Sequence, residues 1–165
     1  MKGRKEKMTT LNKNGDKVVC IENFLSNKEC LKWIKKIPHL GPGLIGWKHR
    51  SKDITKSPVV KKVQDGIKKY LKKDLKINDA QAVIWNEESF SALHVHTQGG
   101  RDNTEYNSIL YLNDNFEGGR FITQGEIRMK PKRGMLTIFD GRKMYHGVAP
   151  VTKGSRFALN FWWKK

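Results

Sequence analysis

After residue 78 the chain never runs far without a turn signal. NEES, GGRDN, NDNFEGG, TQGE, KPKRG, DGRK and VTKG punctuate the stretch from residue 86 to 154. The segments between them are short and rich in β-branched and aromatic residues, which favours strands over helices. The spacing predicts about eight strands: Ala80–Trp85, Ala92–His96, Ser108–Leu112, Gly119–Thr123, Ile127–Met129, Met135–Phe139, Tyr145–Val148 and Ser155–Trp163. Short antiparallel strands at this spacing fold into a two-sheet jelly roll or a small barrel.

The first half is built differently. Lys17–Ile21 predicts one short strand. Ser26 then precedes a helical pattern over 27–37, with Glu29 placed to complete a capping box. Leu31, Ile34 and Trp33 form its apolar side, and Pro38 with the glycines of PHLGPGLIG ends it. A second helix is predicted from Pro58 to about Lys72, capped by Ser57. Val59, Val60, Val63, Ile67, Tyr70 and Leu71 share one broad face suited to packing on a sheet. PHLGPGLIG is no phosphate cradle, because no Gly-Lys-Ser ending follows it. Residues 1–16 are basic and polar with no apolar stretch behind them. They are expected as a disordered tail, not a secretory signal, ahead of a single domain over 17–165.

No apolar run approaches the ~20 residues that span a bilayer, so an intracellular protein without a membrane partner is expected, and a monomer. Cys20 and Cys30 are expected as reduced packing thiols, not a disulfide or half of a zinc site. The formal net charge is +17, and residues 1–80 carry 21 Lys and Arg against 8 Asp and Glu. Such a balance is either a solvated lysine-rich layer or a surface that meets nucleic acid or an acidic protein.

SALHVHTQGG raises the first chemical question. Side chains alternate along a strand, so His94 and His96 point the same way and can bind one ion. His146 lies in the seventh predicted strand, which in a jelly roll can stand opposite the pair. Three ligands on one side of an iron leave the other side open. A His-x-His on a strand can equally be a surface or packing feature, and His39 and His49 lack any such context. Arg156 begins the last strand, on the face of Ala158, Asn160 and Trp162, with Phe157, Leu159, Phe161 and Trp163 on the other. An arginine aimed into a sandwich needs an anionic partner, and a bound carboxylate gripped bidentately would supply one. Otherwise it is a rim residue at the strand's start.

The runs SILYLNDNFEGGRFI and KPKRGMLTIFDGRKMYHGVAPVTKGSRFALNFWW strongly resemble the prolyl 4-hydroxylase-like branch of the iron(II)/2-oxoglutarate dioxygenases. IENFLSNKECLKWIKKI resembles the family's opening strand and first helix, so the likeness covers roughly residues 17–165. It implies an α+β fold, a double-stranded β-helix (jelly roll) of about eight antiparallel strands with N-terminal helices packed on one sheet. It implies a dioxygenase that hydroxylates a C–H bond, with a prolyl or other residue of a protein substrate as target. Fe(II), 2-oxoglutarate as cosubstrate and O2 are the implied cofactors, with ascorbate as an accessory. His146 matches the distal iron ligand, Arg156 the partner of the cosubstrate's far carboxylate, Tyr111 a second holder of that carboxylate, and Trp162 an aromatic beside it. Gly118 and Gly119 match a structural Gly-Gly turn.

The departure is at the opening pair, where the family has His-x-Asp. With His94 first, His96 replaces the aspartate; with His96 first, Gln98 does; Asp102 is an outside carboxylate. The nine-residue gap from Trp85 to His94 matches the family's spacing, and imidazole is a better ligand than an amide oxygen, so His94, His96 and His146 are the preferred set. Losing a carboxylate removes one negative charge from the metal's ligands and alters its affinity and redox behaviour. The alternative is a jelly roll that has lost catalysis and uses its basic face to bind nucleic acid or an acidic protein. A cupin also carries His-x-His, but it leaves Arg156 unexplained and has only Asp102 near the position of its usual glutamate.

Overall fold

The computed structural model describes residues 4–37, 44–46, 49–96 and 103–165. Eight antiparallel strands form the main sheet in the order β1-β2-β11-β7-β14-β5-β4-β3. These are β1 (Lys7–Lys13), β2 (Asp16–Glu22), β3 (Leu44–Gly46), β4 (His49–Asp53), β5 (Lys76–Trp85), β7 (Tyr106–Tyr111), β11 (Leu136–Phe139) and β14 (Arg156–Lys164). A four-stranded sheet lies across it in the order β10-β9-β12-β6, built from β6 (Ser91–His94), β9 (Phe121–Thr123), β10 (Arg128–Met129) and β12 (His146–Val148). β8 (Glu117–Gly118) and β13 (Val151–Lys153) pair as a small ribbon. The architecture is a double-stranded β-helix.

Two helices, α1 (Asn27–Lys36) and α2 (Pro58–Leu71), cover the outer face of the main sheet. Cys30 of α1 and Val59, Val60, Val63 and Ile67 of α2 join Leu110, Leu136, Leu159, Phe161 and Trp163 in one apolar core. Ser26 and Glu29 close the capping box: Glu29 N–H donates to Ser26 Oγ at 3.2 Å, and Ser26 N–H to Glu29 Oε2 at 3.0 Å. Ser57 stands at the N-cap of α2, but its side chain makes no capping bond; its carbonyl accepts from Val60 N–H instead. The buried residue of α1 is Cys30, whereas Leu31 is exposed. One turn on from Cys30, Ile34 and Trp33 pack against the core, so the apolar stripe runs one residue earlier than expected.

The expected tail is corrected at Lys7–Lys13. These residues form β1, paired with β2 from Lys7↔Glu22 to Lys13↔Asp16. The cause is Asn14-Gly15, both at positive φ (49° and 85°), which make the two-residue turn whose twist matches a hairpin. β1 carries no apolar alternation because it is an edge strand exposed along most of its length. β3 and β4 were likewise unanticipated; β4 pairs with β5 from His49↔Trp85 to Asp53↔Gln81. His39, Gln98 and Asp102 lie outside the described residues, and so do Pro38 and most of the glycine-rich loop. Among the described residues, no helix is long and apolar enough to cross a membrane.

Candidate active site

Between the two sheets lies a cavity of about 610 Å³. The inward residues of β5, β7 and β14 floor it, and β6, β9 and β12 roof it. Val83, Trp85, Ile109, Phe121, Phe139 and Val148 supply apolar wall, and Gln81, Asn107, Asn160 and three histidines supply polar groups.

The histidines arrive from two adjacent strands. His146 of β12 stands directly opposite His94 of β6. His96, expected in the same strand as His94, lies two residues past its end. Its backbone N–H leaves the ladder and donates to the Gly141 carbonyl at 2.9 Å. The three rings still converge, with centroids 4.6–4.9 Å apart, and one ligand nitrogen from each lies within 4.8 Å of the others.

The hydrogen bonds of the rings decide which nitrogens face inward. His146 Nδ1 lies 2.9 Å from the Met144 carbonyl and His94 Nδ1 lies 2.8 Å from the Ala92 carbonyl. A carbonyl only accepts, so each Nδ1 carries the proton and each Nε2 keeps its lone pair for an ion. Burial pushes the His146 pKa down to about 4; the Met144 bond opposes this and nearby His94 adds to it. His146 is therefore neutral, and competent as a ligand, at neutral pH. His96 Nε2 and His146 Nε2 lie 3.0 Å apart. Two nitrogens each about 2.1 Å from one ion and at right angles around it stand about 3 Å apart, so this pair fits one metal.

Arg156 is 1% exposed and has no acidic partner among the described residues. Its guanidinium lies 5.5 Å from the Trp85 ring centroid and 5.1 Å from that of Tyr111. Nε, Nη2 and the Tyr111 hydroxyl make no hydrogen bond of good geometry, although the hydroxyl lies close enough to Arg156 and Thr137 to interact with both. Burial lowers the Arg156 pKa and raises that of Tyr111, while the closeness of the two groups opposes both shifts. A buried cation with unbonded donors beside a buried hydroxyl has the donor set to hold a carboxylate. Neither residue lines the open cavity; Arg156 stands opposite Trp85 in the sheet, and Trp85 does line it. Gly119 keeps space there, because a Cβ on it would approach Arg156 Cδ to 3.1 Å. Trp162 lines the cavity and meets the His96 ring edge-on at 6.0 Å.

The sequence reading left Asn107 unnoticed and gave Asn160, although placed on the face of Arg156, no role at the site. Asn107 is 4% exposed and its Oδ1 makes no hydrogen bond; Asn160 Oδ1 is also buried and unbonded. Strand parity points to both. Asn107 sits four residues before Tyr111, and Asn160 sits between Arg156 and Trp162 on the same alternation.

The model of the 2OG-Fe(II) oxygenase superfamily matches residues 76–164. The chain belongs to this superfamily. Human prolyl 3-hydroxylase 2 is 43% identical over 65 residues, which is 35% of this chain and 9% of that protein. The chain thus matches about a tenth of that relative's length. The viral collagen prolyl hydroxylase of Paramecium bursaria Chlorella virus-1, solved with 2-oxoglutarate, superposes with a TM-score of 0.72 at 22% identity, covering 88% of this chain and 94% of that one. HygX of Streptomyces hygroscopicus, solved with nickel and 2-oxoglutarate, gives a TM-score of 0.72 at 12% identity over 89% and 82% of the two chains. At these identities the solved structures establish the oxygenase's fold.

Proposed function

We propose that this oxygenase hydroxylates a prolyl residue of a polypeptide, using iron(II), 2-oxoglutarate and O2. The observation that carries the reading is the convergence of His94, His96 and His146 on one point of the cavity wall. Arg156 supports it, since its buried charge calls for an anion.

His94, His96 and His146 would hold the metal through neutral ring nitrogens. Iron with 2-oxoglutarate and O2 supplies the oxidising chemistry that side chains lack: C–H hydroxylation coupled to loss of CO2 from the cosubstrate. The chain's own residues do the rest. The Met144 and Ala92 carbonyls fix two of the rings in place. Arg156 and Tyr111 would take the far carboxylate of 2-oxoglutarate, with Trp162 beside it. Val83, Trp85, Phe121 and Phe139 keep water from the reacting centre. With His96 in the place of the family's carboxylate, the three histidines would form a neutral ligand set that leaves the ion its full positive charge for an anionic cosubstrate.

The prolyl target rests on similarity to the prolyl hydroxylases above and on a cavity wall apolar enough for a pyrrolidine ring. Mass spectrometry of proline-containing peptides incubated with Fe(II), 2-oxoglutarate and air tests it. One added oxygen on proline per 2-oxoglutarate consumed is expected. Oxygen on another residue type, or no oxygen added while 2-oxoglutarate is consumed, contradicts it.

A further inference from the structure

A second recess lies on the other side of the main sheet, between α1 and the start of α2, with a volume of about 550 Å³. Leu25, Trp33 and Val59 make its apolar floor, and Lys32, Lys36 and Lys62 its rim. We propose that this groove docks single-stranded nucleic acid.

Three observations point there. First, exposed Lys28, Lys32 and Lys36 stand at i, i+4 and i+8 on α1, a row of cations stepping about 6 Å at a time, of which Lys32 and Lys36 reach the groove rim. A strand of phosphates is an anion with a comparable repeat. Second, these lysines are not held in ion pairs, although Lys36 lies in the last turn of α1 and over the Trp33 ring. Among the described residues none of the three has an acidic partner, and Lys28 sits in the first turn of α1, where a cation opposes the helix dipole. Glu29, the acid lining the groove, is already engaged by Ser26 and Lys62. Third, Trp33 is half-buried in the floor, with Lys36 Nζ 5.0 Å from its ring centroid. A flat aromatic face beside a cation is the pairing that receives a base and its phosphate together. An acidic polypeptide satisfies the lysines but gives Trp33 no stacking partner. The groove is separated from the histidine cavity by the main sheet and its core, so binding there tethers the oxygenase without entering the site.

Fluorescence anisotropy with labelled oligo(dT) of 20 nucleotides tests the proposal on the full chain. With three lysines on phosphates, binding should weaken about 20-fold between 50 and 200 mM salt. Lys32→Glu with Lys36→Glu should weaken it at least tenfold, while the charge-matched pair Lys17→Glu with Lys130→Glu, on exposed residues of β2 and just after β10, changes it less than threefold. Trp33→Ala should weaken oligo(dT) binding severalfold, Trp33→Phe should restore it, and circular dichroism reports whether each variant is folded. Equal losses from both lysine pairs, no binding at 50 mM salt, or displacement of oligo(dT) by polyglutamate at lower concentration than by unlabelled oligo(dT) would each overturn it. In the last case the groove takes an acidic polypeptide instead.

Discussion

The two faces of β14 share a backbone and little else. On the helix side, Leu159, Phe161 and Trp163 are fully buried, and the one polar atom among their side chains is satisfied, Trp163 Nε1 donating to Ser108 Oγ at 2.8 Å. On the cavity side, Arg156 is as deeply buried, yet Nε and Nη2 bond to nothing, and Asn160 Oδ1 is also idle. Buried polar groups are normally paired, because each unpaired one costs about 1–3 kcal/mol and a charge costs more. One face is therefore built for stability, and the other keeps polar groups in reserve for a ligand.

The largest effect expected from that contrast is on the helix side. Phe161→Ala should cost about 3–5 kcal/mol, because it opens a cavity in a packed core, and chemical denaturation would register it. A loss below 1 kcal/mol would mean that this face is no more optimised than the other. Arg156→Met should act the opposite way. Removing an unpaired buried charge leaves the unliganded protein as stable or more so, within about 1 kcal/mol. Yet 2-oxoglutarate at a hundred times its wild-type Kd, worth about 2.7 kcal/mol to the wild type, should stabilise the variant far less. Thermal shift with and without cosubstrate reads both halves. Equal stabilisation of both proteins would remove Arg156 from the cosubstrate site.

The smallest effect concerns the thiols. Burial raises Cys20 and Cys30 to about 11. At pH 8 both are protonated in the native state, and alkylation should run on the order of a hundredfold slower than in denaturant. Because the native pKa lies above the unfolded one, the associated stability is complete below about pH 8.5 and is lost as the pH climbs toward 11. Rapid native labelling would mean that the apolar packing around them opens readily.

These particulars also explain what could be read in advance. The strands after residue 78 were legible because turn residues mark their ends and alternation marks their faces. The parity that put Arg156 with Ala158, Asn160 and Trp162 holds in the structure. β1 was not legible, since an exposed edge strand buries nothing and so carries no apolar pattern; its signal was Asn14-Gly15 alone. His146 facing His94 depends on pairing across 52 residues, which no local pattern encodes; the jelly-roll strand order allows it, and the family resemblance gives His146 its role. His96 reaches the cluster by leaving its strand through the Gly141 carbonyl, so strand geometry alone misplaced it while grouping it correctly.

The central claim is that His94, His96 and His146 hold an iron that takes 2-oxoglutarate. Visible spectroscopy of the purified protein with Fe(II) and saturating 2-oxoglutarate, without oxygen, tests it most directly. A weak charge-transfer band is predicted, absent from His146→Ala and requiring more cosubstrate in Arg156→Ala. No band at saturating ligand, or a band unchanged in His146→Ala, would contradict it.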